Sequence, residues 1–452
     1  YKRQIIYDEI PDAVYSHIIR KDNLGSGSEA VAFEVVLMRE DGSIAAVSKE
    51  YIVKRIINSN RFEHMLHKMQ WVHTPMSLQV QMESKEEGER EEILFIKNSN
   101  PLLSDYAANL KKQGYRVTVL EFGEHFVKLN ENEYRIPMEP DHEVFADLLE
   151  KRNYRKIIHG GIALQIKDKG LWDTTESYLN CGVRNLFHLL KNMVARKTRK
   201  EVEIILLISN SCSITGEEAY INPFATALDG IGKVIPQEYT TIKCRCVDIG
   251  DGISYNELEK EIFTGQKNYM TAYRENKRYI QELVRVFASE GNTGMDKLKE
   301  NGVYIITGGL GGIGLEIAKR IVSERNVVLY LIGRTLLYER DNADKPVSSG
   351  RYEKIRILEE LRNSKSKVTA LRADVANEES LREAINRIHS EHGLINGIFH
   401  CAGVPGKGYI FNKTGEDFDQ VIKAKIHGTI ALDKLTKEDP LDFFLLFSSA
   451  SS

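Results

Sequence analysis

A strand–helix rhythm that runs twice along the chain limits its folding more than any other feature. From about residue 90, ILFIKNSN (93–100) is strand-like, LLSDYAANLKKQG (102–114) helix-like and YRVTVLEFG (115–123) strand-like again. A helix near 142–153, strand RKIIHGGIAL (155–164), a helix near 174–196, strand VEIILLISNS (202–211), a helix near 223–235 and strand IKCRCVDIG (242–250) follow. The rhythm restarts at Gly302 with GVYIITGG, then helix 315–325, strand VVLYLIGR (327–334), a mostly helical 348–364 and strand VTALRAD (368–374). It closes with helix 378–391, strand GIFHCAG (397–403), helix 414–436 and strand DFFLLFSS (442–449). Consecutive strands joined through helices must run parallel, with helices covering both faces of the sheet.

The expected class is therefore α/β, with two tandem Rossmann-like, doubly wound parallel sheets. In the first copy VEIILLISNS is followed by residues 212–290 of the same unit, whereas DFFLLFSS is followed only by Ala450-Ser451-Ser452. By that comparison the second copy is expected to be incomplete at its C-terminus. Residues 1–57 read as a short β segment, with two strand-like runs in 32–56 around Glu40-Asp41-Gly42. The expected organisation is 1–57 (β segment), 58–290 (first α/β unit) and 300–452 (second unit), with ASEGNTGMD (288–296) as linker.

Lys and Arg number 62 against 65 Asp and Glu, a net charge of −3, which argues against nucleic acid as a partner. Five cysteines, an odd number, point to a reducing, cytoplasmic setting rather than a disulfide framework. Cys244 and Cys246 share one strand face and read as packing. The twelve histidines show no ligand spacing, so no metal is expected. No apolar run approaches a membrane span and no signal peptide is visible. The opening Tyr1 suggests a piece of a longer protein.

The strongest chemical signal is Thr307-Gly308-Gly309-Leu310-Gly311-Gly312-Ile313-Gly314, between a strand and a helix. Glycines there permit a tight turn and let a pyrophosphate approach the backbone, and the helix N-terminus presents unpaired N–H groups. The first copy has Lys97-Asn98-Ser99-Asn100-Pro101 at the same place, without glycine, and reads as non-binding. The second strand of the binding unit ends Gly333-Arg334-Thr335; an arginine there suits a ribose 2′-phosphate and favours NADPH. Asp374, followed by Val375, either accepts from the adenine amino group or caps helix 378–391. Cys401, Ala402 and Gly403 are small enough for a nicotinamide ribose to lie against them, while His400 alone reads as half-buried. Lys425 falls on an apolar stripe with Phe418, Val421 and Ile422, so it either snorkels at the stripe edge or faces a polar site. Ser448 and Ser449 end the last strand, where ligands of open α/β sheets bind.

Together TGGLGGIG, LIGR, ADV, FHCAGV, IKAKIHGT and LLFSS resemble, in order, the ketoreductase domain of modular bacterial polyketide synthases, members of the short-chain dehydrogenase/reductase superfamily. LDGIGKVIPQEY (228–239) and RENKRYIQEL (274–283) are similar to that family's structural subdomain, which binds no cofactor. DEIPDAVYSHI and EVVLMREDGSIAAVSKEYIVK resemble the tail of a preceding dehydratase domain of double hot-dog fold. The resemblance implies NADPH-dependent reduction of a β-ketoacyl group, carried on the phosphopantetheine arm of an acyl carrier protein, to β-hydroxyacyl, beside neighbouring synthase domains. It implies that Lys425 lowers the pKa of a tyrosine and touches the cofactor ribose, and that Ser449, 24 positions on, holds the ketone oxygen. That tyrosine and an asparagine are expected about 13 and about 17 residues after Ser449, beyond Ser452, so these 452 residues are expected to be inactive or nearly so. Pro405-Gly406-Lys407 replaces the Leu-Asp-Asp of many members that give the D-hydroxy product, which leans against that class. Competing readings are a redox-silent scaffold, an epimerase-type domain that keeps the cofactor, and a stand-alone short-chain dehydrogenase.

Overall fold

A computed structural model of the chain describes residues 3–7, 14–21, 30–54, 67–76, 91–98, 100–138, 142–150, 152–162, 171–196, 201–250, 253–263, 268–286, 297–337, 349–406 and 408–448. The chain divides into two compact units, Tyr1–Met69 with Leu283–Ser289, and Gln70–Glu282 with Glu290–Ser452. Both α/β halves fall within the second unit. The expected linker 288–296 lies outside the described residues.

The first unit is an antiparallel sheet of β1 (Arg3–Ile6), β2 (Tyr15–Lys21), β3 (Ala30–Met38) and β4 (Ile44–Lys54), in the order β1-β4-β3-β2. Four strands replace the two or three read from the sequence. The β3–β4 turn is closed by Asp41, whose carboxylate accepts from the Ser43 amide and hydroxyl at 2.9 and 2.7 Å. Gly42 takes the left-handed φ of 81° that such a turn needs.

The strands of the first half are β5 (His67–His73), β6 (Glu92–Lys97), β7 (Arg116–Gly123), β8 (Val127–Asn130), β9 (Glu133–Pro137), β10 (Lys156–Ile162), β11 (Val202–Ile208), β12 (Ile242–Ile249), β13 (Met270–Arg274) and β14 (Lys277–Arg285), all within the second unit save the start of β5 and the end of β14. They form one sheet in the order β5-β14-β13-β12-β11-β10-β6-β7-β9-β8. Its centre from β9 to β13 is parallel; β8 and β14 pair antiparallel with the two ends of that run. The strands of the second half, β15 (Val303–Thr307), β16 (Val328–Gly333), β17 (Lys367–Arg372), β18 (Gly397–His400) and β19 (Phe443–Leu446), form a wholly parallel sheet in the order β17-β16-β15-β18-β19. That order repeats β9-β7-β6-β10-β11 of the larger sheet, so the two halves share one doubly wound plan. The central strands are buried on both faces, as crossover helices require: Ile204–Ile208 and Tyr304–Ile306 have no exposed surface.

The helices are α1 (Pro101–Lys112), α2 (His142–Glu150), α3 (Leu171–Leu179), α4 (Asn185–Ala195), α5 (Pro223–Glu238), α6 (Tyr255–Phe263), α7 (Gly312–Glu324), α8 (Ser349–Arg362), α9 (Glu378–His392), α10 (Gly415–Ile422) and α11 (Gly428–Leu435). Local chemistry starts several of them: Asn100 and Asn222 cap α1 and α5, each followed by proline, and Thr414 with Asp417 forms a capping box on α10. Among the described residues no helix is long and apolar enough to cross a membrane.

Two sequence expectations need correction. The hairpin β8–β9 stands between β7 and α2, where no strand was read; every residue of β8 is exposed, so it shows no alternation. The long helices expected at 174–196 and 414–436 are each broken by one π-turn, Asn180–Arg184 between α3 and α4 and Lys423–His427 between α10 and α11. A π-turn inserts one residue and keeps helical residue types on either side, so a short window still reads as one continuous helix.

Candidate nucleotide site

The glycine segment leaves β15 at Thr307 and enters α7 at Gly312. Gly308 adopts φ 66°, and a Cβ there would meet the Ala402 backbone nitrogen at 2.8 Å and its Cα at 2.9 Å. Only glycine lets this turn lie against the loop after β18. Gly311 caps α7 without a side-chain hydrogen bond, so the first-turn N–H groups are left for a ligand. Thr307 is fully buried, with Oγ1 2.7 Å from His400 Nδ1 and 3.3 Å from the Ala402 amide that donates to it. Strands β15 and β18 are therefore stitched together at the point where strand order reverses, which is where doubly wound sheets bind ligands.

A cleft of about 420 Å³ opens at this switch point. Of the residues singled out from the sequence, Gly308, Leu310 and Gly311 line it from the glycine segment, and Arg334 and Thr335 from the end of β16. Asp374 and Val375 line it after β17, and Cys401, Ala402 and Gly403 after β18. Thr307, Gly309 and Gly314 build the turn behind that lining, and Gly312 and Ile313 are exposed at the helix start, outside the cleft wall. Arg334 and Thr335 are exposed at the rim. Asp374 is not the cap of α9: Asn377 holds that place by accepting from the Ser380 amide, and Asp374 Oδ1 accepts from Ala376 N. The cleft residues fit a dinucleotide, since a backbone cradle, a helix start and a rim cation converge on it.

Lys425 stands at the carboxyl ends of β18 and β19. Its Nζ donates to the Phe447 carbonyl at 2.8 Å, and a Cβ on Gly403 would meet its Cε at 2.9 Å. It does not sit on the apolar stripe: Phe418, Ile422 and Ile426 pack on the core of the first half, and Lys425 faces the other way. Burial holds its ammonium below the ordinary lysine value, against an opposing pull from Cys401. Ser449 lies outside the described residues.

His400, read from the sequence as half-buried, is 1% exposed, and burial with the nearby Lys425 charge holds its pKa down at about 4. It is a neutral strut at neutral pH. Gln420, Lys423 and Ala424 also line the cleft and were missed. Their i, i+3, i+4 spacing is the one available signal, but it does not say which face meets the cleft.

The first half is closed where the second is open. Asn98 donates to the carbonyls of Gly160 and Gly161 at 3.0 and 3.3 Å, and its Oδ1 accepts from the Asn100 amide at 2.7 Å. Asn100 in turn caps α1. Side chains satisfy here the backbone groups that the glycine turn leaves free.

Residues 302–452 match the family described as KR domain, and residues 91–265 match one described as beta-ketoacyl synthase-like, N-terminal. Polyketide synthase PksN of Bacillus subtilis (strain 168) is 29% identical over 272 residues, covering 59% of this chain. The chain spans only 5% of that protein's length. A crystal structure of an N-terminal ketoreductase from the macrolactin assembly line is 26% identical, with a TM-score of 0.69, over 85% of this chain and 75% of that one. The first ketoreductase of the tylosin synthase has the same fold at 21% identity, with a TM-score of 0.61 over 85% of this chain and 73% of that one.

Proposed function

We propose, from the premise that residues 302–452 belong to the KR-domain family, that this chain is the ketoreductase segment of a polyketide synthase. It uses NADPH to reduce a β-ketoacyl thioester, presented by an acyl carrier protein among neighbouring synthase domains, to the β-hydroxyacyl thioester. The observation that carries the reading is Lys425 Nζ at the carboxyl ends of β18 and β19, beside a glycine-turn cleft that bears Arg334 at its rim.

When bound, reduced nicotinamide supplies hydride to the ketone carbon. The chain does the rest. The Gly308 turn and the start of α7 hold the pyrophosphate through backbone N–H groups. Arg334 holds the 2′-phosphate by charge-assisted hydrogen bonds. The Thr307–His400 contact keeps the loop after β18 against the glycine turn. Lys425 places positive charge where the proton donor's conjugate base forms, and Ser449 binds the ketone oxygen as it gains charge. Five free thiols support a reducing, cytoplasmic setting.

The test is nucleotide binding followed by turnover. In the native polypeptide that contains these residues, NADPH binds more tightly than NADH, and Arg334→Gln reduces that preference about tenfold or more. A short β-ketoacyl thioester then consumes NADPH in a reaction that requires Lys425. Equal affinity for both nucleotides would refute the role of Arg334, and binding without turnover would refute the reductase.

A further inference from the structure

The two halves meet through equivalent pieces. The segment α3–π-turn–α4 stands between β10 and β11, and α10–π-turn–α11 stands between β18 and β19. Aligned on their π-turns, Asn180–Arg184 matches Lys423–His427, so Gly182 stands opposite Lys425 and Glu176 opposite Asp419. The contacts are reciprocal. Arg184, the last residue of its turn, donates from Nε to Asp419 Oδ1 at 2.8 Å, one turn ahead of the other π-turn. His427, the last residue of that turn, has Nε2 3.0 Å from Glu176 Oε1, a close contact without hydrogen-bond geometry. Phe187 stacks on Phe418 with ring centroids 4.3 Å apart. Arg184 is 14% exposed and also donates to Glu176 and Asn180, at 2.6 and 2.7 Å, which fixes its own fork.

In a regular helix Lys425, seven residues after Phe418, would return to within about 20° of it, facing the first half. The π-turn adds the residue that puts Ile426 on that face and sends Lys425 toward Phe447. Single π-turns are intrinsically rare and need something to hold them. The first half keeps its own although Gly182 offers nothing to a ligand, so the turn there serves the contact between halves. We propose that Arg184 is a positioning residue for Lys425: through Asp419 it grips the helix whose π-turn directs Lys425 toward Phe447 and against Gly403, at the edge of the cleft. The cofactor-free half thereby sets the geometry of the nucleotide site. The inference rests on the cofactor reading above.

The experiment uses Arg184→Gln, with Arg184→Lys as the conservative variant. Asp419→Asn, nearly isosteric, serves if Arg184→Gln does not fold. The exposed pair Lys243–Glu201, broken by Lys243→Gln, is the control. Two readouts are taken: NADPH affinity by fluorescence, and the titration of Lys425 by NMR of ¹³C-methylated lysines. Arg184→Gln and Asp419→Asn are expected to weaken NADPH binding about tenfold and to move the Lys425 titration toward that of an ordinary lysine. Arg184→Lys restores part of both, and Lys243→Gln changes neither. An unchanged Lys425 titration in Arg184→Gln or Asp419→Asn would overturn the inference, as would equal losses in Lys243→Gln. If the unaltered protein binds no NADPH, the cofactor reading fails while the lysine titration still decides the clamp.

Discussion

Gly314 and Gly312 stand two residues apart in the same turn, and a methyl group added to each has opposite consequences. At Gly314 a Cβ would lie 2.5 Å from the Gly308 carbonyl oxygen and 2.7 Å from the Gly309 Cα. Restoring an ordinary 3.4 Å contact requires about 0.9 Å of backbone movement. Gly308 cannot supply it, being pressed against Ala402 and attached to a strand with every residue buried. Gly314→Ala should therefore cost about 2–3 kcal/mol of stability, as overpacking of a rigid interior does. A displacement near 1 Å should also weaken NADPH binding about a hundredfold. At Gly312 nothing lies within 4 Å, so Gly312→Ala should leave the free protein unchanged or up to about 1 kcal/mol more stable, because alanine favours the helix. The same methyl would stand on the exposed first residue of α7, next to Gly311 of the cleft wall and at the helix start proposed to receive the pyrophosphate, so it should weaken NADPH binding alone. Urea unfolding with and without NADPH separates these effects. At a hundred times its dissociation constant the nucleotide should add about 2.7 kcal/mol to the unaltered protein and much less to either variant. A Gly314→Ala protein of unaltered stability would refute the packing argument. A Gly312→Ala protein that keeps the full gain from NADPH would refute the placement of the pyrophosphate.

Acid should act through the two buried histidines. Burial lowers His159 and His400 to about 4 from an unfolded value near 6.5, so below pH 6.5 the unfolded chain takes up protons that the fold refuses. Stability should fall with pH by about 3 kcal/mol per histidine on reaching pH 4. His159→Gln should remove about half of that histidine-dependent loss, and a stability–pH curve parallel to that of the unaltered protein would refute it. Asn98→Ala leaves the Gly160 and Gly161 carbonyls without their shared donor and should cost about 2 kcal/mol in urea unfolding. Its NADPH affinity should stay unchanged, since Asn98 belongs to the half whose turn is already closed; a parallel loss of affinity would show that the first half takes part in binding.

Local pattern made much of the fold legible. Strand–helix alternation is written in every short window, so two parallel sheets follow from periodicity, and Thr307–Gly314 declares its turn through residue types that tolerate little else. The glycine-free 97–101 announced its own closure, because asparagines cap and bridge where glycines would leave backbone groups free. Short elements with no buried face escaped, as β8 did. So did features that depend on what packs alongside. His400 looks the same in sequence whether half exposed or fully buried, and only the neighbouring β15 with Thr307 makes it a neutral strut. Asp374 and Asn377 compete for one helix cap on equal terms until the turn is built.

The direction of Lys425 shows the division most clearly. By helical period alone the sequence assigned it to the Phe418 stripe, because seven residues make nearly two full turns. The π-turn that carries it off that stripe has no local signature. With it, Phe418, Ile422 and Ile426 all reach the core of the other half, and Arg184 binds Asp419 on the helix before the turn. Sequence by itself determined the two sheets, the glycine turn and the residue types of the site. Tertiary structure decided which histidine is buried and where the lysine points, because each of these depends on contacts between residues far apart in the chain.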